Sequence, residues 1–346
     1  MDRTGQFNIE QSDIFRNGTA RSTVLLPSMA IEQIKAFTGG RPSLIRTMLE
    51  VDSPEHMPYR KITQLAFMPA KLKPLQERIA IISDEFADKL ASHGGECDFV
   101  KEVALLFPLR VIMELVGIPK EDEPLMLRLT QELFASADSD LNANAADIDA
   151  ETLAAHFNQV IAEFGAYFTK LIEDRRSNPR EDMASVISNA KIDGELLAPM
   201  EIMSYFVVIA TAGHDTTSHT ISSTMWQLAQ NSELLERIKA DMSLVDGLIE
   251  ESLRWEAPVR TFMRNATRDV EFAGKQVKEG DWLMLCYLSG NRDEAVFEDP
   301  FNLPRWRCAI CGTPLFLGSR QWSWRVNPRA PPEILCPGPN LCRSVM

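Results

Sequence analysis

Apolar positions along the chain recur mostly at spacings of three and four. Over residues 70–92, Leu72, Leu75, Ile79, Ile82 and Phe86 mark one face of a long amphipathic helix that ends at Gly94-Gly95. Similar patterns predict helices near residues 29–37, 43–50, 59–67, 120–137, 150–176, 182–190, 233–240 and 244–256. Residues 99–116 are strongly apolar and are interrupted by Pro108. Residues 138–146, rich in Asp, Asn and Ala, read as a loop. Only after residue 256 does the pattern change to short strands, at 270–272, 276–277 and 282–287, separated by A-G-K and K-E-G-D turns. The predicted fold is therefore mainly α with a small β portion, without internal repeats.

One predicted helix, residues 199–230, is unusual. It begins apolar and then reads Ala212, Gly213, His214, Asp215, Thr216, Thr217. Gly costs about 1 kcal/mol relative to Ala inside a helix. Asp and Thr compete with the helical ladder by bonding the backbone themselves. On a continuous helix Thr216, three residues after Gly213, shares its face. An acid beside a hydroxyl in a dry cavity can relay protons. The plainer reading is a kink, a back-bonded Thr and a solvent-facing Asp.

Composition narrows the partners. The chain has 346 residues, 45% of them hydrophobic and 25% charged, as in ordinary globular proteins. A net charge of -13 disfavours nucleic acid as a partner. No run approaches the roughly 18 apolar residues needed to span a bilayer, so no membrane association is expected. The first ten residues carry no apolar signal core. A cytoplasmic protein is expected.

Three further constellations carry possible chemistry. Glu251 and Arg254, in E-S-L-R, sit three apart on one helix, flanked by Leu248, Ile249, Leu253 and Trp255. They form either a surface ion pair or a covered one. His56 and Arg60, four apart in D-S-P-E-H-M-P-Y-R, suit a cationic clamp on an anion. Arg264, in F-M-R-N-A-T-R-D before the first expected strand, suits another anion contact. Ordinary surface polarity explains each of these residues equally well when taken alone.

Taken in order, these stretches resemble the cytochrome P450 family of the bacterial soluble type. A-G-H-D-T-T matches its oxygen-activating helix, E-S-L-R its E-x-x-R motif, and D-S-P-E-H-M-P-Y-R the start of its haem-facing helix. The stretch from Arg264 to Phe301 is similar to the family's segment leading to the haem loop. The match covers roughly residues 10 to 301. The resemblance implies a haem cofactor whose propionates meet His56, Arg60 and Arg264. It implies that Gly213 opens the distal helix to dioxygen. Asp215 and Thr216 would supply the protons that activate it, and Glu251 with Arg254 would form a buried structural pair. It further implies insertion of one oxygen atom into a small organic substrate, with electrons from a ferredoxin-type or other redox partner.

The sequence departs from the family at one place. The family's iron ligand is a Cys thiolate in an F-x-x-G-x-H/R-x-C-x-G loop. That loop is expected near residues 315–322, which contain no Cys. Residues 302–346 also break in composition, with six Arg, one Glu, no Lys, three of the six Trp and four of the six Cys. Such a segment, lacking periodicity, is what a GC-rich gene gives when read in a wrong frame. The expectation is an incomplete P450-like domain over residues 1–301, truncated at both ends, followed by a frameshift-derived tail over 302–346. Such a chain would be inactive as it stands. The alternatives are a non-catalytic α-helical binding protein derived from the fold, or a zinc site at Cys308, Cys311, Cys336 and Cys342.

Overall fold

The computed structural model describes residues 15–16, 47–134, 150–272, 274–297 and 299–301. In chain order the elements begin with β1 (Phe15–Arg16), α1 (His56–Gln64), α2 (Pro69–Ser92), α3 (Leu106–Val116), α4 (Glu123–Phe134), α5 (Ala150–Ser177) and α6 (Met183–Ser188). Strands β2 (Lys191–Ile192) and β3 (Glu195–Leu196) follow, then α7 (Pro199–Ala212), α8 (Asp215–Gln230), α9 (Ser232–Ala240) and α10 (Val245–Glu256). The chain continues through β4 (Thr261–Ala266), β5 (Val270–Phe272), β6 (Lys275–Val277), β7 (Trp282–Cys286) and α11 (Tyr287–Gly290). The described residues are thus mostly helical with a small strand portion, as expected.

The described residues divide into two units, one made of those within 45–48 and 53–218 and the other of those within 1–44, 49–52 and 219–346. The first is helical. Its core gathers Leu109, Ile112, Met113 and Val116 of α3 with Phe164 and Phe168 of α5 and Ile202 and Phe206 of α7. The i, i+3 and i, i+4 spacing of these positions puts each set on one helix face. The rings of Phe168 and Phe206 stack at 4.6 Å and those of Phe164 and Phe168 at 5.7 Å. Each such side chain, fully buried, contributes about 1.5–3 kcal/mol by removal from water. Pro108 falls in the first turn of α3, where a missing N–H breaks no helical bond, so the helix runs through it. A single π-helical turn, Val100–Ala104, leads into it.

A buried arginine that the periodicity did not single out organises one end of this unit. Arg175, near the end of α5, donates from Nε to Asp182 Oδ2 at 2.7 Å and from Nη2 to the Gly117 carbonyl at 2.7 Å. Asp182 in turn accepts from the Ser185 N–H at 2.8 Å and so caps α6. Gly117 closes α3 with φ 88°, and Asp182 fills the space a Cβ would need. Glycine is required there on both counts. The hairpin β2–β3, unforeseen because each strand is only two residues long, turns on Asp193 and Gly194 at φ 53° and 88°. Asp-Gly is the favoured pair for that turn.

The second unit holds the remaining strands. β4 pairs antiparallel with β1 on one side and β7 on the other, with Arg264 opposite Leu283. β5 and β6 form a separate hairpin. β4 was not expected, since Arg264 and Asn265 interrupt its apolar run. Ladder pairing on both sides outweighs that composition, and Asn265 and Ala266 are buried. Leu228, Leu234, Ile238 and Leu248 form this unit's helical core, with Trp255 packed against it. The expected helix at 29–37, the loop at 138–146 and the tail at 302–346, including its four cysteines, lie outside the described residues.

Candidate active site

The expected continuous helix over 199–230 is two helices. α7 ends at Ala212, two residues turn, and α8 starts at Asp215. The break falls on Gly213 and His214, the point where the sequence carried its polar notch. Breaking a helix leaves carbonyls without amide partners. The Thr216 hydroxyl supplies one, donating to the Ala212 carbonyl at 2.7 Å. The Ser218 N–H then bonds the His214 carbonyl at 2.9 Å and starts the new ladder. Because Gly213 lies in the turn, it does not share a helical face with Thr216. A Cβ on Gly213 would meet Ile112 Cδ1 of α3 at 2.8 Å, so glycine lets these two segments approach closely. Asp215 and Thr216 are half-buried, and Thr217 is exposed.

His214 is fully buried. Its Nε2 lies 2.8 Å from the Leu105 carbonyl and its Nδ1 3.5 Å from Asp215 Oδ1. Nothing in the sequence separated this histidine from its polar neighbours. Only the fold shows that it points inward.

His56 opens α1 half-buried, and Arg60 follows one turn later, exposed. Tyr59 between them fixes this helix onto α7. Its ring stacks on Tyr205 at 6.3 Å, its hydroxyl donates to Glu201, and its carbonyl accepts from the Tyr205 hydroxyl at 2.5 Å. Burial pushes the Tyr205 phenol up, so it stays a donor.

In the second unit, Arg254 grips Glu251 and is itself buried. Its Nη1 donates to the carbonyls of Asn291 at 2.8 Å and Pro300 at 3.0 Å. Its guanidinium also covers the Phe297 ring at 5.1 Å. Arg292, unremarked in the sequence, lies over the Trp255 ring at 4.9 Å and donates to the Trp255 carbonyl at 2.7 Å. Burial first, then neighbouring Arg254, pushes its guanidinium down. Arg264 is half-buried on β4, with Nη1 donating to the Met263 carbonyl at 2.8 Å. Burial raises the nearby Tyr287 phenol, and Arg264 partly counters that rise. The structure thus groups Gly213, Asp215 and Thr216 around one helix break. It sets His56 with Arg60 on one helix and pairs Glu251 with Arg254, while Arg264 stands on a strand.

The sequence profile of the family Cytochrome P450 matches residues 32–308. The chain belongs to the cytochrome P450 family. Cytochrome P450-terp of Pseudomonas sp is 40% identical over 300 residues, which cover 86% of this chain and 70% of that protein. The steroid C26-monooxygenase of Mycobacterium tuberculosis is 33% identical over 291 residues, covering 82% of this chain and 76% of that one. Among solved structures, CYP108D1 from Novosphingobium aromaticivorans superposes with a TM-score of 0.74 at 38% identity, covering 86% of this chain and 69% of that one. Haem is the cofactor this family implies, and its members act on small molecules with electrons from redox partners.

Some of the described side chains are of the types that a haem site uses. Arg264, Arg60 and His56 are cation or N–H donors of the kind that binds carboxylates. Asp215 and Thr216 place a carboxyl and a hydroxyl at the helix break. The axial ligand is a different matter. The described cysteines are Cys97, exposed, and Cys286, half-buried at the end of β7. Neither lies in the family's ligand loop. No described cluster of three or more His, Cys, Asp or Glu side chains suits a metal ion either. No helix among the described residues is long and apolar enough to cross a membrane.

Proposed function

We propose that this chain carries the distal and propionate-binding apparatus of a cytoplasmic haem monooxygenase but not its thiolate ligand. As it stands, it would not perform the family's oxygen insertion. The observation that supports this most directly is the helix break, with Thr216 on the Ala212 carbonyl, together with residues 302–346, which contain no F-x-x-G-x-H/R-x-C-x-G pattern. In the family, thiolate-ligated haem supplies the power to activate dioxygen. The residues of this chain have narrower tasks. Gly213 permits the close approach of the turn to α3. Asp215, partly open to solvent, would hold and release a proton at its carboxyl. Thr216 keeps the Ala212 carbonyl satisfied and presents its hydroxyl beside that acid. His56, Arg60 and Arg264 would each offer a donor to a carboxylate of the cofactor, as the family resemblance implies. The electron donor would be a ferredoxin-type or other redox partner, as the family implies.

Residues 302–346 fit a frame change in the gene. Translating the other frames past codon 301 tests this, and finding no Phe-Gly…Cys-x-Gly loop in any of them would refute it. The cofactor assignment is tested by titrating the purified chain with haemin. Saturable binding weakened by R264A and H56A is expected. Binding insensitive to both substitutions would count against the assigned contacts.

A further inference from the structure

His214 has a geometry that none of the roles above uses. Its ring is shut off from solvent, and its Nε2 lies 2.8 Å from the Leu105 carbonyl oxygen. A carbonyl only accepts, so a bare Nε2 there would set two lone pairs against each other in a dry site. Nε2 therefore carries a proton. The other nitrogen, Nδ1, makes no hydrogen bond and faces Asp215 Oδ1 at 3.5 Å. A neutral ring with Nε2 protonated presents a lone pair at Nδ1. Opposite an ionised carboxylate that arrangement is repulsive, and the low local dielectric strengthens the repulsion. One proton placed between the two groups turns it into attraction, either as O–H···N or as N–H⁺···O⁻.

Among the described residues, the charged groups on neighbouring elements pair with one another. On the turn before Leu105, Lys101 pairs with Asp98 and Glu102 with Lys89. On α3, Arg110 pairs with Glu123 and Glu85, and Glu114 with Arg78. On α7, Glu201 accepts from Tyr59 and from the Ala198 N–H. Among the described residues, Asp215 is the acid within ion-pair distance of His214.

We propose that His214 is a positioning residue that holds the Asp215 carboxyl and keeps one proton shared within the pair. It is a store and not a wire, because its Nε2 end terminates on a carbonyl that cannot pass a proton on. The proton enters and leaves through Asp215, whose side chain is 28% exposed. Only an O–H or N–H bond forms or breaks, and nothing is oxidised or reduced. The consequence for dioxygen chemistry rests on reading Asp215 as the proton donor of a monooxygenase site, but the pairing itself does not.

The test is nitrogen NMR of the full chain, labelled with nitrogen-15 at histidine, followed across pH. The His214 signals are those lost in H214Q, whose amide can still donate to the Leu105 carbonyl. Should H214Q fail to fold, substituting the other four of the five histidines one at a time assigns His214 by elimination. Nε2 should remain protonated throughout, and the Nδ1 signal should shift in D215N, which removes the shared proton. A ring that merely packs would keep its Nδ1 signal in D215N, and that result, or protonation at Nδ1 with Nε2 bare, would overturn the proposal. The readout needs no haem. A chain that shows the shared proton yet takes up no haem would keep this inference and refute the monooxygenase reading, and the converse pair of results would do the opposite.

Discussion

The Arg254 guanidinium holds both carboxylate oxygens of Glu251, Nε to Oε2 at 2.8 Å and Nη2 to Oε1 at 2.5 Å. Its remaining arm reaches the carbonyls of Asn291 and Pro300, and the Asn291 amide returns a bond to the Arg254 carbonyl at 3.1 Å. One side chain thus ties α10 to the segment that follows α11. Removing one partner of a buried pair strands the other, at a cost of about 3–5 kcal/mol. Arg254→Ala should fall in that range, because it also frees two carbonyls. Glu251→Gln should cost less, about 1–2 kcal/mol, since Glu251 is only half-buried and the amide oxygen still accepts. Chemical denaturation of the three proteins measures both values, and equal losses would contradict the assignment of Arg254 as the hub.

The approach of Gly213 to Ile112 gives a second prediction. Gly213→Ala places a methyl group 2.8 Å from Ile112 Cδ1 and should cost about 1–3 kcal/mol through overpacking. Ile112→Val removes that Cδ1. The double variant should therefore recover most of the loss relative to Ile112→Val alone, and a double-mutant cycle from thermal melts reads the coupling.

The buried phenols make the fold sensitive to alkali. Burial raises Tyr205, and burial together with the bond to Asp122 raises Tyr167. A raised folded value means the protonated phenol is favoured in the fold. Its stabilisation is therefore complete below the ordinary phenol value of 10.0 and is lost as pH rises above it. Stability from these groups should be flat between about pH 7 and 9 and should fall beyond about pH 10. Tyrosinate absorbance followed against pH should show most of its increase together with unfolding. Tyr205→Phe should remove part of this dependence, and it should also cost about 1 kcal/mol through the freed Tyr59 carbonyl.

The proposed cationic contacts predict graded haem retention. Each charge-assisted bond to a carboxylate contributes about 1.5–3 kcal/mol, so R264A, R60A and H56A should each weaken haemin binding by about tenfold or more. Arg60 is exposed, so salt should weaken its contribution the most. Haemin titration at low and high ionic strength checks both statements.

Much of this was legible in the sequence because it was local. The amphipathic stripe of α2 and the A-G-H-D-T-T notch are properties of contiguous residues. The notch marked where the helix breaks, although periodicity alone read it as one helix with a flaw. What was missed depends on partners far along the chain. His214 is defined by a carbonyl at position 105, Arg175 by Gly117 and Asp182, and Arg292 by Trp255. The strand Thr261–Ala266 was missed because its pairing on both sides, not its own composition, makes it a strand. No window of sequence contains those relationships.

The central proposal is that Gly213, Asp215 and Thr216 form a distal wall and that residues 302–346 supply no thiolate. The carbon monoxide difference spectrum of the reduced, haem-loaded chain tests it most directly. The account predicts bound haem without the Soret shift of thiolate ligation. A thiolate-type Soret shift that disappears when Cys308, Cys311, Cys336 or Cys342 is replaced by Ser would contradict it.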